Sequence, residues 1–179
     1  MPSGKTHDRI TLWLLPAVLA AAFYLTLDTP LTVIVCIGFL LGGFMMGPDL
    51  DIHSVQYKRW GPLKWIWYPY QVALKHRSHW SHGPVIGTAV RVLYFAVWVA
   101  LFGIVTVEIM NQLWDAQLTW RELRETVQGS FAAYIWEWVA LVIGLELGAL
   151  SHYVSDWTGS GIKRRFGKRR KQSRKRKRR

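Results

Sequence analysis

The chain has 179 residues, of which 51% are hydrophobic and 11 are tryptophan. Its single cysteine, Cys36, excludes a disulfide framework and a cysteine-rich structural zinc site. The formal net charge is +12, but 13 of the 23 Lys and Arg residues lie in residues 163–179, which hold no acidic residue, so the rest of the chain (10 basic and 11 acidic side chains) is close to neutral.

Four apolar runs follow one another along the chain, at about 10–27, 31–46, 84–110 and 131–150. A helix that crosses the hydrocarbon core needs roughly 17–25 apolar residues, which the first and fourth runs provide. The second run ends abruptly at Gly47-Pro48, a helix-stopping pair, and the third is long and carries Arg91 near its start. The pattern predicts an all-α integral membrane protein, a four-helix bundle; the alternative is a soluble helical protein with buried helices.

The distribution of basic residues predicts the orientation of these spans. The tail and the 47–83 segment are rich in Lys and Arg, whereas the segments 28–30 and 111–130 carry few or balanced charges. Because Lys and Arg are retained on the cytoplasmic side, both termini should be cytoplasmic. The Trp-rich stretch 60–76, next to the third run, should lie on the membrane surface or form a packed lid over the bundle.

All six histidines fall at the polar ends of the spans that share this predicted cytoplasmic face. His7 precedes the first run, and His152 follows the fourth together with Asp156. The other four histidines lie between the second and third runs together with two aspartates: Asp49, Asp51, His53, His76, His79 and His82. Imidazoles and carboxylates gathered in this way are the ligands of a metal site. The sequence therefore predicts a metal site at the cytoplasmic face.

Spacing refines this prediction. Asp49 and Asp51 point to the same side if the chain is extended there. His152 and Asp156 share a face if the fourth helix continues beyond the membrane, with Cβ atoms about 5–6 Å apart. On one helix His76, His79 and His82 would point in different directions, so all three reach one ion only if the backbone bends.

At these residues the sequence resembles a family of predicted metal-binding membrane proteins of unknown function. The resemblance covers nearly the whole chain short of the basic tail, and it rests on four stretches: Thr6-His7-Asp8-Arg9, Gly47-Pro48-Asp49-Leu50-Asp51-Ile52-His53-Ser54, His76-Arg77 through Ser81-His82-Gly83-Pro84, and Ser151-His152 through Ser155-Asp156. More distantly, the chain resembles the LexA-binding, inner-membrane metal-dependent hydrolases, which show a Pro-Asp-x-Asp element, a His-Arg…Thr-His element and a terminal His/Asp pair. Those hydrolases are in turn thought to be related to zinc-dependent phospholipases C and nucleases, which use an all-helical multi-metal site.

The resemblance implies a set of metal ligands, namely His7, Asp49, Asp51, His76, His82, His152 and Asp156. They would hold one or two divalent ions, zinc first, with manganese or iron as alternatives. This chain departs from the hydrolase pattern in having Ser81 for Thr and one extra residue between the paired histidines. The resemblance therefore supports metal binding more strongly than hydrolysis. His79 matches no family position, and His53 is intermediate.

Two charged residues lie within the spans at similar depths if the third and fourth helices are antiparallel. Arg91 and Glu146 would then form an ion pair that supports the site from behind its ligands. In the alternative interpretation, Arg91 extends its side chain to the interface without a partner.

The chain divides into a membrane domain, residues 1–160, and a basic tail, residues 161–179. The tail is low in complexity and should be disordered. Its basic residues favour anionic lipid headgroups, because it begins close to the membrane; the residues nearest to the membrane are Lys163, Arg164, Arg165, Lys168, Arg169 and Arg170. Nucleic acid is a weaker alternative, and a tail that only fixes the topology is a third.

Two function classes remain open from the sequence. In the first, the protein is a metal-dependent hydrolase that acts on a phosphoester. In the second, it is a non-catalytic membrane protein in which the ion locks helix ends together, or in which the protein senses or carries the metal. An ion with an open coordination position beside a pocket favours the first class. An ion whose coordination positions are all filled by protein side chains favours the second.

Overall fold

A computed structural model of the chain describes the backbone of residues 4–176 and the side chains of residues 4–158. The described residues contain helices and no strand, so the all-α prediction is confirmed. The α-helices are α1 (Gly4–Thr26), α2 (Thr29–Phe44), α3 (Val55–Lys58), α4 (Tyr68–Ala73), α5 (His79–His82), α6 (Ile86–Trp114), α7 (Trp120–Ala133) and α8 (Ile135–Arg176). Two 3-10 helices, Pro48–Asp51 and Gly61–Trp67, lie in the connection between α2 and α6.

Four of these segments are long and apolar enough to cross a membrane: Gly4–Thr26, Thr29–Asp51, Ile86–Trp114 and Ile135–Thr158. They correspond to the four runs predicted from hydrophobicity. α1 and α2 are joined by a tight connection in which the Asp28 carboxylate accepts a hydrogen bond of 2.7 Å from the amide of Leu31 and Pro30 occupies the first turn. This hairpin brings the start of α1 and the end of α2 to the same end of the bundle.

Glycines allow α2 and α8 to pack at very short range. Gly38 and Gly42 on α2 face Gly144 and Gly148 on α8. A Cβ atom at Gly42 would lie 2.3 Å from the carbonyl oxygen of Leu145, and one at Gly148 would lie 2.4 Å from that of Phe39. Both pairs have the Gly-x-x-x-Gly spacing that lets two membrane helices approach closely. This contact fixes the end of α2 beside the later turns of α8.

The Trp-rich segment forms a packed cover, which we call the lid segment, residues 55–73. Trp67, Ile66 and Tyr70 are almost completely buried, and Leu50 lies in the same cluster. The Tyr94 hydroxyl on α6 donates a hydrogen bond to the carbonyl of Ile66. Of the two predicted arrangements, the packed lid therefore describes this segment better.

Two segments add to or depart from the sequence-based interpretation. In the segment 111–130, for which no helix was predicted, α7 begins after a capping box in which Thr119 and Glu122 satisfy each other's backbone amides. At the other end of the chain, α8 extends to Arg176, so the disorder predicted for residues 161–179 is not confirmed. The side chains of the basic residues proposed to contact lipid lie outside the described part of the chain.

Candidate metal centre

The two aspartates lie on the 3-10 helix that follows α2. α2 ends at Phe44, Gly47 then caps the 3-10 turn that begins at Pro48, and Leu50 between the carboxylates is fully buried in the cluster under the lid segment. The condition under which the sequence placed both carboxylates on one side, an extended backbone, is not met, because residues Pro48–Asp51 form a 3-10 turn. Two further bonds hold the turn, because the Gln71 side chain donates to the carbonyls of Leu50 (2.9 Å) and Ile52 (3.1 Å).

A bend in the backbone at Arg77 separates His76 from His79 and His82, which both lie on α5. Arg77 has a positive φ of 61°, and the Ser78 side chain then caps the short helix α5 by accepting from the amide of Ser81. As a result His76 and His82 approach each other, with ring centroids 5.0 Å apart. His79 is exposed and takes no part in the cluster, as the sequence indicated.

One group of three potential ligands joins α1 to α8. His7 and His152 are stacked, with ring centroids 3.9 Å apart, and His7 Nε2 lies 3.3 Å from Asp156 Oδ1. The Ser155 hydroxyl donates to the carbonyl of His152 and is therefore placed to accept from His7 Nδ1, 2.8 Å away. That bond leaves His7 Nε2 with a lone pair for a cation.

A second group of three combines the 3-10 turn with the α5 region. His76 Nδ1 donates to Asp51 Oδ1 at 2.9 Å, and His82 Nδ1 lies 3.4 Å from Asp51 Oδ2. In each of the two groups, one ligand atom from every member lies within 4.8 Å of those of the other two. This distance suits three ligands around a single ion.

Asp49 connects the two groups. Its Oδ2 lies 3.3 Å from His152 Nε2, and its Oδ1 lies 3.7 Å from His82 Nε2. One carboxylate oxygen thus faces each group. All seven residues that the resemblance implied as ligands come together in this cluster, at the end of the bundle that holds the start of α1.

Several polar atoms of the cluster are buried without a hydrogen-bond partner. They are Asp49 Oδ1, Asp51 Oδ2, His82 Nε2, both ring nitrogens of His152, and Asp156 Oδ1. Such atoms cost about 1–3 kcal/mol each when nothing satisfies them. Imidazole nitrogens and carboxylate oxygens that converge in this way fit a metal ion, which would satisfy all of them together.

Comparison with known proteins agrees with this geometry. Residues 2–166 match the family described as "Uncharacterized metal-binding protein (DUF2227)". The chain belongs to this family. A stretch of 59 residues is 46% identical to an uncharacterized protein of Aquifex aeolicus (strain VF5), and it spans 32% of this chain and 41% of that relative. No solved structure matches the chain.

Electrostatics in this member of the metal-binding family favour a positive charge at the centre of the cluster. Burial alone would lower the pKa of His82, but the nearby carboxylates of Asp49 and Asp51 outweigh it and raise that pKa to about 9. Without metal, a proton on His82 therefore balances the carboxylates. A dication can replace this proton.

Arg91 and Glu146 do not form the predicted ion pair. The fully buried Arg91 guanidinium donates to the carbonyl of Ser81 at 2.7 Å and to the Thr88 hydroxyl at 2.9 Å. Glu146 Oε1 instead accepts from the amide of Val85 at 3.0 Å, at the start of α6. The pairing was wrong because Arg91 bonds to α5 and to Thr88 while Glu146 bonds to the amide that precedes α6, but both side chains still support the segment that carries His82.

The remaining candidate, His53, lies apart from the cluster. It is exposed, and its ring contacts Tyr57 with centroids 4.9 Å apart. Sequence reasoning missed Ser155, whose hydroxyl orients His7, and Tyr153, whose hydroxyl lies 3.4 Å from an Arg91 nitrogen. Their position on α8 beside His152 and Asp156 was the available signal.

Proposed function

We propose that this chain is an integral membrane protein that binds one or two divalent cations in the cluster and hydrolyses a phosphoester there. The observation that carries the proposal is the position of Asp49, which presents one carboxylate oxygen to each of two three-residue groups. One group would hold an ion through His7, His152 and Asp156. The other would hold an ion through Asp51, His76 and His82.

The chemistry of the donors narrows the choice of metal. The cluster offers imidazole nitrogens and carboxylate oxygens and no thiolate, a combination that suits zinc and also manganese or iron. When bound, such an ion lowers the pKa of its water ligand and polarises a phosphoryl oxygen.

The exposure of the ligands supports a site that a substrate can reach. The side chains of His76 and Asp49 are 32% and 22% exposed, whereas those of His152 and Asp51 are 3% and 0% exposed. The cluster therefore has a closed side and an open side. We propose that the reacting group binds beside Asp49, which lies within reach of both groups of residues.

A non-catalytic role is the second candidate, and one observation favours it. The potential ligands come from four separate segments, namely α1, the 3-10 turn after α2, the α5 region and α8. An ion held by all four would tie them together and stabilise the folded state whether or not it catalyses a reaction. A sensor or carrier of the metal would need the same residues.

The orientation in the membrane and the partner of the tail are further parts of the proposal. The Lys and Arg residues of 163–179 and of the 47–83 segment support a cytoplasmic location for both termini and for the cluster. Anionic headgroups would attract the tail by about 1 kcal/mol for each basic residue near the surface. Deleting residues 164–179 should weaken salt-sensitive binding to anionic liposomes without lowering metal content, and equal binding would remove the lipid role.

Metal analysis combined with a hydrolysis assay separates the two candidates. The purified protein should contain a divalent metal and should release p-nitrophenol from bis(p-nitrophenyl) phosphate or p-nitrophenyl phosphate. Asp49→Asn should lower both the metal content and the hydrolysis, and the exposed His79→Ala should change neither. Bound metal with no release of product would exclude the hydrolase and leave the non-catalytic role.

A further inference from the structure

A long apolar groove lies between α1 and α8, with α2 as its floor. Its volume is about 780 Å³. The walls run from Ile10 to Thr26 on α1 and from Ile143 to Thr158 on α8, while Val35 and Phe39 form the floor. The groove is partly open to its surroundings. Both walls belong to segments that can cross a membrane, so in a bilayer the open side faces the hydrocarbon.

The polarity of the groove changes along its length. Thr26 lies at one end, Ser151, Ser155 and Thr158 lie at the other, and the remaining lining residues are apolar. The lining of α1 extends over about 24 Å, at 1.5 Å for each residue. One leaflet contributes about half of the roughly 30 Å hydrocarbon core, so an extended lipid chain from that leaflet fits inside the groove.

The serine end of the groove adjoins the candidate metal centre. Ser155 lines the groove, and its hydroxyl is also 2.8 Å from Nδ1 of His7, whose Nε2 faces Asp156. A molecule whose chain lies in the groove therefore has its polar end beside the first group of ligands. A cation in that group would attract a negatively charged polar end.

We propose that the ligand of this site is a phosphate-bearing lipid of the surrounding bilayer, with one chain in the groove between α1 and α8 and its phosphate at the metal cluster. This inference rests on the metal binding of the proposed function and adds the class of substrate. The apolar wall selects the chain, and the cluster selects the phosphate.

Photolabelling tests the inference without an activity measurement. Metal-loaded protein is reconstituted in phosphatidylcholine vesicles that contain either phosphatidic acid or diacylglycerol, each with the same photoreactive acyl chain. Labelling of α1 and α8 peptides should be stronger for phosphatidic acid, and a chelator should remove the difference. Equal labelling by both lipids, with or without metal, would mean that the groove holds bilayer lipid without selection, and this result would overturn the inference.

A variant that fills the groove provides the second arm. Ala21 lines the groove, whereas its neighbour Ala20 is exposed outside it. Ala21→Trp should lower the labelling by phosphatidic acid about tenfold, which corresponds to a steric cost of about 1.4 kcal/mol, and Ala20→Trp should leave it unchanged. Ala17→Leu is a milder filling for the case in which Ala21→Trp does not fold. Unchanged labelling in a folded groove variant would also overturn the inference.

Hydrolysis assays on the same samples keep the two proposals apart. If the protein is a hydrolase with a lipid substrate, Ala21→Trp should slow phosphate release from phosphatidic acid and spare p-nitrophenyl phosphate. Selective labelling without any hydrolysis would exclude the hydrolase and retain the lipid site. Hydrolysis of the soluble ester without selective labelling would retain the hydrolase and exclude the lipid.

Discussion

The imidazole rings of His7 and His152 are stacked, with centroids 3.9 Å and planes 15° apart. The first residue lies near the start of α1 and the second lies well along α8, so this contact joins distant parts of the chain. Each ring also faces a carboxylate at 3.3 Å, Asp156 for His7 and Asp49 for His152. The placement of any one of these side chains therefore depends on the others.

This dependence predicts that mutations of the ligands will not be additive. Asp49→Ala and His152→Ala should each lower the bound metal and the thermal stability, because an ion that binds only the folded state stabilises it by about 4 kcal/mol at a thousand times its dissociation constant. The double variant should lose little more than either single one. Metal analysis and thermal unfolding in detergent measure both effects.

His79→Ala is the matched control for this series, because His79 is exposed and lies outside both ligand groups. Wild-type metal content in both Asp49→Ala and His152→Ala would show that the histidines are gathered by topology alone.

The raised pKa of His82 predicts opposite pH trends for the metal-free and metal-loaded protein. Its pKa of about 9 in the folded state exceeds the ordinary value of 6.5. In the metal-free protein, protonated His82 should therefore stabilise the fold below about pH 6.5, and this contribution should be lost as the pH rises through about 9. Metal affinity should increase over the same interval, because a cation displaces the proton.

Thermal unfolding of chelator-treated protein across this pH range measures the first trend, and metal titration measures the second. His82→Gln should flatten both curves. A metal-free protein whose stability rises between pH 6.5 and 9, with no difference between wild type and His82→Gln, would contradict the assignment.

The sequence predicted which polar side chains gather at one end of the bundle better than it predicted the backbone that places them. Polar residues at the ends of apolar runs must gather where those ends meet, so His7, Asp49 and His152 could be brought together from hydrophobicity alone. The 3-10 turn at Asp49 and Asp51 could not be predicted in this way, because it depends on the burial of Leu50 under the lid segment and on hydrogen bonds from Gln71. The prediction of an ion pair between Arg91 and Glu146 was wrong for a similar reason, because each side chain bonds to a backbone group that the sequence did not place beside it.

Helix packing was less predictable than the spans. The spacing of Gly38 with Gly42, and of Gly144 with Gly148, is visible in the sequence. However, this spacing does not say which helices are partners, whereas the structure pairs α2 with α8. The asymmetry of the bundle also depends on contacts that no local pattern encodes, because α6 packs on α5 more than on α8 and its aromatic side chains contact Trp65 and Trp67 of the lid segment.

The arrangement of the spans predicts the outcome of reporter fusions. If the four candidate helices cross the membrane in sequence, reporters within residues 54–75 and after Arg179 should read cytoplasmic, and reporters within residues 112–128 should read external. The charge of the tail and the even number of spans are the physical reasons. A cytoplasmic signal from residues 112–128 would contradict the number of spans and the predicted side of the cluster.

The short distance between α2 and α8 predicts that a single methyl group will disturb both the fold and the metal centre. In Gly42→Ala, the added Cβ would meet the Leu145 carbonyl oxygen at 2.3 Å, so the helices must move apart at a cost of about 1–3 kcal/mol. Because α2 leads directly into Asp49 and Asp51, the same movement should weaken metal binding.

Gly103→Ala on α6 is the matched control, since nothing lies within 4 Å of its added Cβ. The better helix propensity of alanine should leave the stability of this variant equal to that of the wild type or raise it by about 0.5–1 kcal/mol. Thermal unfolding and metal titration of the two variants make the comparison, and equal stability of Gly42→Ala and wild type would show that the close α2–α8 contact does not hold the cluster together.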